Sequence, residues 1–268
     1  MKIEQNHNLP KGLLHPMTGE QKFSLTRYPP SSSTAYFIQH YWIVRWNLHG
    51  QSPHLQTLIA YPNVNLVFER NQARIYGVAK STSSHLLEGA GWVIGIKYKP
   101  GGFYPFFKKP VSELTGRSLC VGDVFKVDAD SLAETVLSQP DDERMVRQVE
   151  AFVCEHLPAH DPNVALVSDI VDMMQSDRTI IKVEDIVRAT GISKRMMQRL
   201  FDRYVGVGPK SVIRRYRLHE ATALIDQGTV TDWLDISTAL GYYDHSHFIR
   251  DFRCVVGVSP EAYRRSQA

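Results

Sequence analysis

Two segments of the chain are copies of one pattern, and that repeat limits the fold more than any other feature. DIVRATGISKRMMQRLFDRYVGVGP (185–209) aligns with DISTALGYYDHSHFIRDFRCVVGVSP (235–260). Asp185, Ile186, Ala189 and Gly191 correspond to Asp235, Ile236, Ala239 and Gly241. After one extra residue in the turn, Arg199, Phe201, Gly206 and Pro209 correspond to Arg250, Phe252, Gly257 and Pro260. A supersecondary unit of this size cannot bury its apolar face alone, so consecutive copies must share a core with each other or with a neighbour.

Each copy reads in the same way. A short helix with apolar residues at helical spacing (Ile186, Val187, Ala189; Ile236, Ala239, Leu240) stops at a glycine, which accepts the positive φ that ends a helix. After a turn containing Ile192, or Tyr242 and Tyr243, Ser193 or Asp244 stands as the N-cap of a second helix. That helix carries an apolar pair at i and i+4, Met197 with Phe201 or Phe248 with Phe252. Two helices joined by a short glycine-containing turn make a helix-turn-helix unit.

The outer faces of the second helices then become informative. Arg195 and Arg199 lie four residues apart, as do Ser246 and Arg250, and each pair points away from the apolar stripe. Arginine on the outer face of a protruding helix suits the guanine edge in the major groove, where a bidentate contact is worth ~1–3 kcal/mol of discrimination. The two histidines of LGYYDHSHFIRDF (240–252) do not form a metal site, because residues i and i+2 on a helix lie about 200° apart. A convex helix gives His245 and His247 no pocket for acid–base catalysis. His247 corresponds to Met196 of the first copy, so its alternatives are half-buried packing and contact with phosphate or base.

Between the copies, KSVIRRYRLHEATALIDQG (210–228) reads as one amphipathic helix with Val212, Ile213, Tyr216, Leu218, Ala221, Leu224 and Ile225 inward. A rigid connection of this kind would set both second helices on one side of a duplex, about 34 Å apart. Basic residues concentrate here. From Lys194 to Arg217 there are eight (Lys194, Arg195, Arg199, Arg203, Lys210, Arg214, Arg215, Arg217) against the single acid Asp202, in a chain whose net charge is only +3. A charge run is ordinarily a solvated face; the repeat is what favours nucleic acid.

On these residues, 164–268 resembles the DNA-binding domain of the AraC/XylS family of bacterial transcription regulators. The stretches that carry the resemblance are VEDIVRATGISKRMMQRLFDRYVGVGPKSVIRRYRLHEA and ISTALGYYDHSHFIRDFRCVVGVSPEAYRR. It implies an all-α domain of seven helices, binding to double-stranded promoter DNA and control of transcription, with RNA polymerase as a further partner. Carried over by position, it nominates Arg195, Gln198 and Arg199 in the first copy and His245, Ser246 and Arg250 in the second as base contacts. Lys194, Arg203, Lys210, Arg214 and His247 are expected at phosphates. The chain departs from the family in the methionine-rich RMMQRL and in Gly208, where a serine is common; both leave the operator sequence open.

The front of the chain has a different texture. Aromatic and β-branched segments recur between turn signals: AYFIQHYWIVRW (35–46), HLQTLIAYP (54–62), NLVFER (65–70), ARIYGVAK (73–80) and GWVIGIKYKPGG (91–102). They predict an antiparallel β-barrel or sandwich, with alternation clearest at Ile94, Ile96 and Tyr98 against Gly95, Lys97 and Lys99. FYPFFKKPVSELTG and DSLAETVLSQ predict short helices, residues 141–157 a longer one, and PAHDPN (158–163) a linker. This part resembles the sensor domains that precede AraC-type DNA-binding domains, on its YW-containing opening strand and KPGGFYPFF turn. The likeness implies a barrel that holds a small-molecule effector or mediates homodimerisation.

The expected architecture is therefore an α+β two-domain protein: a β-barrel-like sensor or oligomerisation domain with short helices over 1–160, and two helix-turn-helix units joined by a linking helix over 164–268. At 268 residues the chain has room for both. Trp42, Trp46, Phe68, Trp92, Phe103 and Tyr104 are candidates either for an aromatic pocket or for ordinary core. His40, His49, His54 and His85 show no H-x-H spacing, and no metal or cofactor is expected. Cys120, Cys154 and Cys254 are scattered and odd in number, which argues for reduced thiols. The N-terminal sequence lacks an apolar signal region, so a cytoplasmic protein is expected. No nucleophile elbow, phosphate loop or H-E-x-x-H is present, and catalysis is not expected. Two other readings stand beside the regulator. In one the front domain is an enzyme or carbohydrate-binding module that the DNA-binding part localises; in the other it docks a protein partner.

Overall fold

The computed structural model describes residue 14, residues 22–228 and residues 232–266. Eight strands come first or nearly so: β1 (Phe23–Tyr28), β2 (Ile38–Asn47), β3 (His54–Leu58), β4 (Asn65–Glu69), β5 (Gln72–Tyr76), β6 (Ser83–Leu87), β7 (Ala90–Tyr98) and β8 (Ser118–Cys120). Six of them form one antiparallel sheet in the order β1-β2-β7-β4-β5-β8, and β3 pairs only with β6 in a separate ribbon. The α+β organisation is as expected, but the front domain is an open sheet and not a closed barrel. Its edges are β1 and the three-residue β8, while the strands that would extend the sheet, β3 and β6, satisfy their backbone groups on each other.

Alternation in the central strands sorts the two faces. Ile94, Ile96 and Tyr98 of β7 are fully buried and oppose Ile43, Tyr41 and Ile38 of β2; Phe68 and Leu66 of β4 continue the layer. Two helices cover this face, α3 (Ala129–Leu137) and α4 (Asp142–Glu155), after two shorter ones, α1 (Tyr104–Phe107) and α2 (Val121–Phe125), and a 3₁₀ turn at Val111–Leu114. α4 is tied to the sheet by polar contacts at its exposed margin. Arg45 pairs with Asp142 at 2.5 Å, and Glu150 accepts from Thr34 Oγ1 at 2.8 Å and from Tyr41 Oη at 3.3 Å.

Seven helices follow among the described residues: α5 (Pro162–Ser176), α6 (Val183–Thr190), α7 (Lys194–Leu200, continued by a π-helical turn Phe201–Val205), α8 (Pro209–Asp226), α9 (Trp233–Ala239), α10 (His245–Val256) and α11 (Pro260–Arg265). The linker ahead of α5 is held in place: Tyr36 stacks on His160 at 4.1 Å and donates to the Asp161 carbonyl at 2.6 Å. Asp161 also caps α5 and accepts from Tyr204 Oη at 2.6 Å.

The hydrophobic core does not break at this linker. One continuous cluster runs from Tyr28 through the sheet to Val167 of α5, Ile186 of α6, Met197 and Phe201 of the first helix-turn-helix unit, and Val212 and Ile213 at the start of α8. A second cluster gathers Leu218, Ala221 and Ile225 of α8 with Ile236, Phe248, Phe252 and Tyr263 of the second unit. The division therefore falls within α8.

Arg215, counted above as one of the eight basic residues, lies almost wholly buried between the clusters. Its guanidinium donates to the carbonyls of Ala60 (3.1 Å), Ala79 (2.5 Å) and Lys80 (3.4 Å). Burial, with Arg214 beside it, brings its pKa down to about 10, so it remains a cation at neutral pH. Replacing it by leucine keeps most of the volume and leaves three carbonyls without this donor, which costs about 1–3 kcal/mol. Arg215→Leu is expected to lower the urea midpoint and to speed amide exchange at the segments around residues 60 and 79. Unchanged exchange there would show that the contact does not join the two parts.

Candidate nucleic-acid interface

Both helix-turn-helix units form as their local sequences direct. α6 ends at Gly191 (φ +70°) and α9 is followed by Gly241 (φ +72°), left-handed positions that a side chain adopts only at a cost. Ser193 Oγ then accepts from Met196 N at 3.3 Å and Asp244 Oδ1 from His247 N at 2.7 Å, so each recognition helix, α7 and α10, starts with a satisfied cap. Met197, Phe201, Phe248 and Phe252 are fully buried. These anchors turn the other side of each helix outward: Arg195, Gln198 and Arg199 on α7, and Ser246, His247 and Arg250 on α10, are exposed.

The basic run separates into committed and uncommitted charges. Lys194 bonds Glu184 at 2.7 Å, a contact that holds the Glu184 carboxyl below its usual range. Arg203 bonds the hydroxyl of Tyr104 in the front domain and stacks over its ring. Arg214 pairs with Asp251 of α10 at 3.3 Å, Arg215 is buried as described, and Arg217 donates to the Ile181 carbonyl and lies over Tyr242. Arg195, Arg199 and Lys210 have no hydrogen-bond or charge partner among the described residues, and the same holds for Arg250 and Arg253 on α10.

Arg203 and Arg214 thus sit at internal contacts, although phosphate contact was expected of them. Their positions in the run look like those of their neighbours, and only long-range packing distinguishes them. His245 is half-buried against Phe248, and its Nδ1 has no hydrogen-bond partner. His247 combines its two alternatives: its ring is edge-on to Tyr242, its Nε2 lies 3.8 Å from Asp251, and nearly half of the side chain is exposed. Two exposed residues were missed. Arg253 follows Ser246 and Arg250 at i+7 and i+3, a spacing visible in the sequence, and Tyr243 in the turn is fully exposed.

The first unit is fastened to the front domain at the far end of its recognition helix. Thr115 Oγ1 donates to the Gly206 carbonyl at 2.6 Å. A Cβ at Gly206, itself at φ +94°, would lie 2.9 Å from the Val111 carbonyl oxygen, so only glycine fits this close approach. Tyr104 and Tyr204 meet across the same junction with ring centroids 4.4 Å apart.

In the front domain, Phe68 and Phe103 are core, whereas Trp46 and the 43%-exposed Trp92 line an open groove of about 590 Å³ with Phe23 and Arg45. His54 bonds Gln56, and no three His, Cys, Asp or Glu side chains converge among the described residues. No helix among them is long and apolar enough to cross a membrane.

Comparison with known proteins now bears on this geometry. Residues 186–266 match the family described as "Helix-turn-helix domain", and residues 26–120 match "Domain of unknown function (DUF6597)". The chain is similar to the putative transcriptional regulator YkgA of Escherichia coli (36% identity over 84 residues, 31% of this chain and 35% of that protein). It is similar to the transcriptional activator AarP of Providencia stuartii at 29% identity, over 38% of this chain and 76% of that protein. The regulatory protein PocR of Salmonella typhimurium matches at 30%, over 40% of this chain and 34% of that protein. The chain thus spans about a third of the length of YkgA and PocR. Among solved structures, an AraC-type regulator from Chromobacterium violaceum aligns at 27% identity with a TM-score of 0.35, over 40% of this chain and 93% of that one. ToxT from Vibrio cholerae aligns at 12% identity and a TM-score of 0.40, over 91% and 98%.

The sorting of charges has a direct consequence for stability. Arg195→Ala and Arg199→Ala should leave thermal unfolding within roughly 0.5 kcal/mol of the parent, whereas Arg214→Ala, which strips Asp251 of its partner, should cost about 1 kcal/mol. Circular-dichroism melts of the three variants check this; equal losses would mean that Arg195 and Arg199 are structural.

Proposed function

We propose that this chain, whose residues 186–266 are an AraC-type helix-turn-helix domain, is a transcription regulator that reads double-stranded promoter DNA in two successive major-groove segments. One observation carries the reading. Once the committed charges are set aside, the free arginines on the two recognition helices include the equivalent pair Arg199 and Arg250, each on the face opposite a buried aromatic anchor. A merely solvated helix gives no reason for that correspondence.

We assign base contacts to Arg195, Gln198 and Arg199 on α7 and to Ser246 and Arg250 on α10, with His245 shaping the turn beside them. Lys210 and Arg253 are assigned to phosphates, with His247 at their edge and Lys194 available after release from Glu184. Arg203 and Arg214 are assigned to holding the recognition helices in place. We assign residues 1–160 the role of an effector or oligomerisation unit and 164–268 that of the DNA reader. The partners proposed are promoter DNA, a small-molecule effector, RNA polymerase and a second copy of the chain. The regulatory roles of YkgA, AarP and PocR support this class of function.

In vitro selection from random duplexes at fixed salt tests the reading. Wild type is expected to enrich a motif with two subsites about one helical turn apart. Arg199→Ala and Arg250→Ala should each relax one subsite at a cost of ~1–3 kcal/mol, while Lys210→Ala should weaken all sequences alike and lower the salt slope by about one. Binding without enrichment, abolished by salt to the same extent in every variant, would leave only phosphate attraction and would sink the proposal.

A further inference from the structure

The sheet face turned away from α3 and α4 holds three basic residues on adjacent strands. His40 of β2 stands directly opposite Lys97 of β7, and Arg27 of β1 stands opposite Trp42, two residues along from His40 on the same face. Opposed side chains in a sheet lie about 5 Å apart, and like charges so placed are unfavourable. The Lys97 ammonium lies 3.9 Å from the centroid of the Tyr61 ring. Among the described residues Lys97 has no carboxylate and no hydrogen-bond acceptor, and no acid enters the electrostatics of Arg27 or His40. The nearest acidic influence is Asp172 of α5, felt by Tyr216. The Trp42 indole lies across Gly95, where a Cβ would fall 2.2 Å from the ring, so the cations sit beside an aromatic wall.

Burial, then Arg27, brings Lys97 down to about 7; burial, then Lys97 and Arg27, brings His40 down to about 3. At neutral pH the face therefore carries Arg27 and a partly protonated lysine, with His40 neutral. This suits one negative charge on a flat apolar body. A phosphate dianion has too much charge and no surface for the aromatic rings.

We propose that this face binds a small organic monocarboxylate, its charge on Lys97 and Arg27 and its body against Trp42 and Tyr61, and that it is the effector site of the front domain. The effector role rests on the regulator reading above; the binding does not. Tyr61 is also stacked on His219 of α8 at 4.2 Å and lies 6.2 Å from Tyr216, so ligand and linking helix meet the same ring.

The test uses the full chain without DNA, with benzoate and inorganic phosphate as probes at matched ionic strength, followed by calorimetry and thermal shift. Benzoate is expected to raise the melting temperature, phosphate to do so at most weakly, and Lys97→Met to remove the benzoate shift. Binding should take up protons above pH 7, because the anion favours charged Lys97; affinity should be flat below pH 7 and fall up to tenfold per pH unit above it. Of the other groups on this face, His40 titrates far below that range and Tyr61, raised to about 12 by burial, far above it. Arg27 stays charged, and His219, Tyr216 and Asp172 are the groups that α8 and α5 bring near.

In the ligand-free protein Lys97→Met should raise the melting temperature at pH 7. A lysine with a depressed folded pKa penalises folding fully at and below that pKa, and the penalty is relieved as pH rises toward the unfolded value. Arg27→Met supplies a second variant if Lys97→Met does not fold, and it should weaken benzoate at least tenfold. Equal shifts in wild type and variants, no benzoate shift, or a phosphate shift as large as that of benzoate would overturn the site. A chain that selects a DNA motif but ignores benzoate loses only this site; one that binds benzoate but selects no motif loses only the regulator reading.

Discussion

A buried guanidinium surrounded by backbone carbonyls is the contact on which the arrangement of this protein depends. Arg215 reaches out of the linking helix to Ala60, Ala79 and Lys80, segments brought together only by the folded sheet. Arginine suits the position because its fixed fork serves several acceptors at once, and because its high intrinsic pKa survives the burial that lowers it to about 10. Around it the helix changes allegiance: Val212 and Ile213 before it belong to the core shared with the sheet, and Leu218 and Ala221 after it belong to the core of the second unit. The first recognition helix is therefore part of the same packed body as the front domain, and the second is joined to that body through one helix.

What could be read from the chain beforehand follows the range of the interactions. The two helix-turn-helix units are local: a positive-φ glycine, a cap within four residues of it and an i, i+4 apolar pair determine each one, and the repeat supplies an internal control. The outward faces of α7 and α10 follow from the same periodicity. Strand positions in the front domain were also legible, because alternation at Ile94, Ile96 and Tyr98 is local as well. Whether those strands close on themselves depends on which edge meets which, and β3 choosing β6 leaves no mark in either segment.

Charge was the least legible property. Eight basic residues between Lys194 and Arg217 look alike in sequence, yet one is buried against carbonyls, one faces a tyrosine of the front domain, and three face solvent unpaired among the described residues. Lys97 shows the same gap in reverse. Its place in an alternating strand puts it opposite the core residues, as a solvated lysine would be, but Tyr61 and the neighbouring strands enclose that side too. Both cases turn on side chains more than thirty positions away.

The closure at Gly206 sets a mechanical limit. Because the Val111 carbonyl occupies the space where a side chain would begin, and Thr115 bonds the Gly206 carbonyl, the last turn of the first recognition helix abuts the 3₁₀ turn like a rod against an end stop. A displacement of that turn cannot be absorbed by side-chain rotation, since there is no side chain to rotate. It passes along the helix axis to Arg195 and Arg199, so the depth at which this helix seats in a groove is set from inside the front domain.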